Sequence, residues 1–183
     1  MSPIIFILYV NDIIEDLQKQ GFGCRIGTRY LACIMYADDL VLLSPSLNAL
    51  QLMTDQCKMS CESIGLSLSV SKSAVTRVGP AFKHDCVKVR LGTVEVEYVD
   101  MIKYLGVHIC SASKFKLSYS EVKASFHRAV NGLLCKTKGK FDDIVMLRLV
   151  DAYCKPLLLY SSDVYRGAKS HDSALKRAWN YVF

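Results

Sequence analysis

The sequence predicts an α+β fold, mixed strand and helix over residues 1–114 and all-helical over 115–183. Three observations predict it. Apolar residues recur every three or four positions in two segments of the first part. Around those segments they alternate, in runs bounded by turn residues. After Ser120 the alternation stops and only helical spacing remains.

Ser2-Pro3 suits a helix start, with serine as N-cap and proline in the first turn. Ile5, Leu8, Tyr9, Asp12, Ile13 and Leu17 follow as a stripe, and Gly21 after Lys19 closes it. Leu31 to Leu43 is apolar on both sides of Asp38-Asp39 without a helical stripe, so two short strands joined by an acidic turn are expected. Ser46 then caps a helix with Leu50, Met53, Cys57, Cys61 and Ile64 on one face, ending at Gly65. Leu66 to Val70 alternates with serines and reads as a half-buried strand.

From Val87 to Val99 alternation on either side of Gly92-Thr93 predicts a hairpin. Tyr104 to Ile109 reads as one more short strand. Val122, Phe126, Val130, Leu133 and Leu134 form a helical stripe. Ile144, Leu147, Val150 and Tyr153 form a second, ending near Pro156. Leu175, Trp179 and Val182 form a third, starting near Ser170, with Trp179 in the core.

Composition narrows the class of protein. With 51% hydrophobic residues in 183, a sizeable core is available and wholesale disorder is excluded. Lys and Arg number 23 against 17 Asp and Glu, a net charge of +6 that suits a polyanionic partner without establishing one. The eight cysteines are scattered singly through apolar runs. No Cys-x2-Cys pair is present and the histidines lack zinc-ligand spacing, which points to reduced thiols in an intracellular core. Cys57 and Cys61, one helical turn apart, are expected to share a buried face. The apolar stretch Ile4 to Val10 is too short to span a membrane and lacks the flanks of a signal peptide. Cytoplasm and nucleus are the expected compartments.

Asp38-Asp39 is the feature richest in chemistry. Adjacent carboxylates repel, and burial between apolar flanks raises the cost. A divalent cation would resolve the conflict, since Mg²⁺ prefers carboxylate, phosphate and water oxygens, and paired ions clamp both oxygens of a phosphoryl transfer. The pair alone leaves this reading open beside an ordinary Asx turn.

Its surroundings narrow the choice. Tyr36-Ala37-Asp38-Asp39 between apolar strands resembles the polymerase motif of reverse transcriptases. Ser2-Pro3 through Asn11-Asp12 resembles the helix that these enzymes, especially those of non-LTR (LINE-type) retrotransposons, place behind the dNTP site. Gly65 through Ser73 is similar to the segment carrying a lysine near the incoming triphosphate. Lys103-Tyr104-Leu105-Gly106-Val107 resembles the primer-grip strand pair. Tyr153 through Tyr160, with Ala178-Trp179-Asn180, looks like the thumb-side helices. The motifs stand in family order and cover nearly the whole chain.

The resemblance implies a palm-like antiparallel sheet with packed helices over 1–114 and a thumb-like region over 115–183. It implies an RNA-directed DNA polymerase using Mg²⁺ held by Asp38 and Asp39, with Lys72 catalytic, and RNA template, DNA primer and dNTPs as partners. Tyr36, Tyr104, Leu105 and Gly106 would touch substrate or nucleic acid. Read from the residues alone, Lys72 is either a cation for the leaving pyrophosphate or a solvated lysine. Tyr36 either backs the substrate sugar or packs. Gly106 either lets a primer phosphate approach or marks a strand bulge. Lys114, Lys116, Lys123, Arg128, Lys136, Lys138 and Lys140 are either a duplex phosphate track or a solvated face.

The family pattern also implies a further metal-binding aspartate in an upstream strand, an Arg-Gln-Gly-type stretch before Ser2-Pro3, and template-holding fingers. None of these lies in the 183 residues, and Phe183 falls inside a helical pattern, so the chain reads as a fragment. A non-catalytic remnant that at most binds nucleic acid is the competing expectation. A phospho-acceptor receiver domain also uses an acidic pair and a lysine, but it needs a parallel sheet, and the expected hairpins argue against it.

Overall fold

A computed structural model of the chain describes residues 3–137, 142–160, 162–165, 176 and 179–180. It divides into two compact units, Met1–Arg77 with Ala81–Asp100, and Val78–Pro80 with Met101–Phe183.

The first unit opens with helix α1 (Pro3–Gln20), stopped by Gly21 at φ 73°, whose amide reaches back to the Leu17 and Gln18 carbonyls. Ser2 lies outside the described residues, as do the side chains of Ile5 and Tyr9. The buried stripe differs from the expected one: Val10, Ile13 and Leu17 are buried, while Leu8 is 70% exposed. At about 100° per residue Leu8 points almost opposite to Val10. Helix α2 (Leu47–Ser63) packs on α1 through Met53, Cys57 and Cys61. Ser46 Oγ accepts from the Ala49 amide at 3.2 Å. At the other end Leu66 N–H bonds Cys61 C=O, and Gly65 N–H bonds Glu62 C=O, with Gly65 at φ 74°. That is a Schellman cap, and it makes glycine the fitting residue at 65.

Strands β1 (Arg25–Ile26) and β2 (Arg29–Tyr30) form one hairpin; β3 (Cys33–Tyr36) and β4 (Asp39–Leu42) form the next. Leu66 to Ser69 alternates in burial as expected but pairs with no strand; it runs into a 3₁₀ turn over Val70–Lys72. Strands β5 (Ala74–Val75) and β8 (Glu97–Tyr98) form a parallel pair. Strands β6 (Arg90–Leu91) and β7 (Val94–Glu95) meet across Gly92-Thr93, as the alternation predicts, with Val89, Leu91 and Val96 buried and Val87 80% exposed.

The second unit begins with an antiparallel sheet in the order β11 (Lys116–Ser118), β10 (Val107–Cys110), β9 (Met101–Tyr104). The single strand expected over 104–109 is in fact the turn and return of a hairpin. Leu105 at φ 46° and Gly106 at φ 80° are its two turn residues, the sign pattern of a type I′ turn. Gly106 is therefore a turn residue and no bulge.

Helix α3 (Ser120–Thr137) buries Phe126 and Val130; Leu134, expected in that stripe, is 50% exposed. The next stripe is also displaced. Helix α4 (Asp143–Leu149), a π turn (Val150–Cys154) and α5 (Lys155–Leu159) run on continuously, followed by α6 (Ser162–Tyr165). Val150, Cys154 and Leu158 are buried, while Ile144, Leu147 and Tyr153 are exposed. The helix passes Pro156 because the chain widens before it: the Lys155 amide bonds the Val150 carbonyl, five residues back. In an ordinary helix Pro156 would lack a donor and clash with the Ala152 carbonyl. Trp179 packs against Phe126, with centroids 6.4 Å apart. Leu175 and Val182, expected beside it, lie outside the described residues.

The fold is α+β, with small sheets of two or three strands rather than one continuous sheet. Beyond residue 114 the described elements are helical apart from β11.

Candidate active site

The acidic pair sits where the hairpin expectation places it. Tyr36 pairs with Asp39 across a two-residue turn of Ala37 and Asp38. Ala37 has φ 51°, a left-handed conformation that glycine adopts more easily. Register sorts the side chains. Cys33 pairs with Leu42 and Met35 with Leu40, and these four pack against the α1–α2 core. Ile34 with Val41, and Tyr36 with Asp39, share the other face. Ile34 is 42% and Tyr36 63% exposed.

Asp38 and Asp39 are both exposed. The expected conflict of carboxylates buried between apolar flanks is therefore absent: half of the apolar residues face the core, and the acids stand in solvent at the hairpin end. Among the described residues no group of three or more Asp, Glu, His or Cys converges on a common point. Two hard carboxylates remain, which suits an ion completed by phosphate and water oxygens rather than a protein cage.

The base of this hairpin is braced. Cys24 N–H bonds the Leu43 carbonyl at 3.0 Å, and Leu43 N–H bonds that of Ala32 at 2.7 Å. Gly23, at φ 98°, is packed so closely by Ala32, Leu43 and Met53 that a side chain there would collide with all three. Burial raises the thiols beneath it, half-buried Cys33 to about 11 and buried Cys57 to about 12.

Lys72 is exposed at the end of the 3₁₀ turn and lines an open recess of about 440 Å³ with Ser71, Ser73, Glu95 and Glu97. Asp38 and Asp39 do not line it. Glu95 is held by Lys88 at 3.2 Å, leaving Glu97 as the second acid facing the lysine's recess. The two glutamates were not singled out from sequence; their alternation in Val94 to Glu97 was the available signal.

Tyr104, Leu105 and Gly106 belong to the second unit. The close approach at Gly106 is taken within the protein by the ring of Tyr160. Of the basic series, Lys114, Lys116, Arg128 and Lys136 are exposed and Lys123 is half-buried; Lys138 and Lys140 lie outside the described residues. On α3, Lys123, Arg128 and Lys136 fall at about 0°, 140° and 220° around the axis, so they form no single face.

Comparison with known proteins identifies the family. Residues 1–109 match the family model described as reverse transcriptase (RNA-dependent DNA polymerase). The chain belongs to the reverse transcriptase family. It is 27% identical to a transposon-derived protein of Caenorhabditis elegans over 145 residues, 77% of this chain and 51% of that one. It is 24% identical over 129 residues to the Pol polyprotein of a type-2 retrotransposable element of Drosophila melanogaster, covering 66% of this chain and 12% of that one. A Pol polyprotein of a type-1 retrotransposable element of Nasonia vitripennis is 26% identical over 116 residues, 58% of this chain and 11% of its own. The chain thus spans about half of the first of these relatives and about a tenth of the other two. No solved structure matches it.

Proposed function

We propose that this chain is part of the RNA-directed DNA polymerase of a non-LTR retrotransposon, contributing the acidic hairpin of its nucleotidyl-transfer site. The observation that carries the reading is Asp38 and Asp39, exposed at a braced two-residue turn within the segment matching the reverse transcriptase family. Residues 1–114 act as the palm portion and 115–183 as the thumb-like portion.

Mg²⁺ held through the carboxylates of Asp38 and Asp39 would neutralise phosphate charge and favour ionisation of the attacking hydroxyl. The chain's own groups do the rest. Tyr36, on the same face as Asp39, backs the nucleotide sugar. Lys72 offers a mobile cation to the leaving pyrophosphate. The Leu105-Gly106 turn, with Tyr104 before it, meets the primer backbone. RNA template, DNA primer and dNTPs are the partners, in cytoplasm and nucleus. Among the described residues no helix is long and apolar enough to cross a membrane.

The test is primer extension on an RNA template, with this chain replacing the matching segment of the Drosophila relative. Extension that Asp39→Ala abolishes supports the reading; a chimera that folds, binds template and extends equally well with Asp39→Ala overturns it. The second reading, a remnant that at most binds nucleic acid, is the outcome if the folded chimera binds template and extends nothing.

A further inference from the structure

We propose that Met101, His108 and Cys110, brought together on one face of the β9–β10 hairpin, form a site for a soft monovalent cation of the Cu(I) class. The site lies within the second unit. It uses none of the side chains assigned to nucleotidyl transfer, so it does not depend on the polymerase reading.

Strand register assembles the three. Met101 pairs with Cys110, and Lys103 with His108. Counted from the Leu105-Gly106 turn, both are non-hydrogen-bonded pairs, whose side chains approach most closely on a shared face. His108 and Cys110, two apart on one strand, point to that same face. Their Cβ atoms are about 6.6 Å apart, at about 3.3 Å per residue, and Met101 lies about 5 Å across from Cys110. With bonds of about 2.0–2.3 Å, one metal ion spans that gap between a thiolate and the near imidazole nitrogen, Nδ1. The flexible thioether of Met101 supplies the third ligand from across the hairpin.

His108 Nδ1 marks the site. It is buried and has no hydrogen-bond partner, although buried polar side-chain atoms are normally satisfied. It is also the nitrogen that the two-residue spacing selects. Cys110 is half-buried and Met101 is exposed, so an ion enters from the solvent side. Charge and softness then choose the ion. Thiolate and thioether select Cu(I), and imidazole suits copper as well. On binding, the Cys110 thiol gives its proton to solvent, and the Cu(I)–thiolate unit is neutral. Lys103 stands opposite His108 and Lys116 opposite Cys110. A neutral unit is tolerated beside two lysines, whereas a divalent ion would keep a positive charge there and be repelled. Among the described residues no third Asp, Glu, His or Cys joins the pair, so the usual ligand set of Zn²⁺ is lacking.

The experiment titrates the reduced chain with Cu(I) under anaerobic conditions, against the chelator bathocuproine disulfonate. Methyl-labelled methionine and nitrogen-labelled histidine report on this site and separate it from the remaining cysteines. The Met101 methyl and His108 Nδ1 resonances should shift together within the first equivalent. Loss of an outer-shell partner alone costs about 10–100-fold in metal affinity, so loss of a ligand should cost about tenfold or more. Met101→Leu, at an exposed position that tolerates the change, should weaken the His108 titration by that factor. Cys110→Ser should abolish the shift at both labels, and Zn²⁺ should leave the Met101 methyl unmoved. The proposal falls if the Met101 methyl stays in place while Cu(I) is taken up elsewhere, if Met101→Leu leaves the His108 titration within twofold of the parent, or if Zn²⁺ moves both labels as Cu(I) does. The Met101→Leu arm decides the matter even where Cys110→Ser fails to fold. None of these outcomes bears on Asp39 and primer extension, so the two readings fail separately.

Discussion

The ring of Tyr160 closes over Gly106: a methyl group at Gly106 would lie 2.5 Å from Tyr160 Cε1 and 3.2 Å from Cδ1. Residue 160 follows α5 and residue 106 is the turn of the β9–β10 hairpin, so one aromatic ring ties helix to hairpin within the second unit. Glycine at 106 is required twice, by the ring and by φ 80°. Gly106→Ala should destabilise the chain by about 2 kcal/mol, with positive φ and steric overlap both contributing. Adding Tyr160→Ala should return part of that loss, since only the overlap is relieved. Urea unfolding of the four proteins of this cycle is the check; a loss below about 0.5 kcal/mol for Gly106→Ala refutes the account.

Ala37 holds the acidic turn at φ 51° without being glycine. Ala37→Gly should be neutral or stabilising by up to about 1 kcal/mol, because relief of strain is offset by chain entropy. Ala37→Val should lose about 1–2 kcal/mol, since a β-branched side chain tolerates this region poorly. Thermal unfolding compares the three, and the opposite order would contradict the turn geometry.

Because Asp38 and Asp39 are exposed, Asp38→Ala should alter stability by no more than about 0.5 kcal/mol. Mg²⁺ should bind the parent only in the millimolar range, since two carboxylates displace few of its waters. Amide shifts on Mg²⁺ titration should centre on residues 36–39 and vanish in Asp38→Ala. The same 183 residues, given RNA template, DNA primer, dNTPs and Mg²⁺, should extend little or nothing: two-metal catalysis needs carboxylates from more than this one hairpin. Template-dependent extension that Asp38→Ala abolishes would sink that prediction.

The buried thiols predict a pH dependence. Burial raises Cys33 to about 11 and Cys57 to about 12, from an ordinary value of 9.0. A raised pKa means that the unfolded chain loses these protons first. Their contribution is complete below pH 9, and it disappears as pH rises from about 9 through about 12. Serine at both positions should flatten that alkaline decline in urea midpoints. At pH 8, exposed Cys135 should react with a thiol reagent well before Cys57, Cys61 and Cys154. Equal rates for all would show that the α1–α2 core opens readily.

The sequence determined the elements whose signals are local. Gly21, Ser46 and Gly65 mark helix ends because caps are short-range chemistry, and all three positions end or start helices in the structure. Gly92-Thr93 and the acidic pair mark hairpins for the same reason. The acidic motif and its family were legible because they depend on residue identity in order. Tertiary structure alone decided which faces are buried. Leu8, Leu134 and Tyr153 fit apolar stripes and stand in solvent, while Val10 and Cys154 are buried, because the packing partner selects the stripe. The helix running past Pro156 depends on a π turn that no periodicity announces. Asp38 and Asp39 seemed enclosed by apolar flanks until strand register sent alternate flanking residues to the core and left both carboxylates in water.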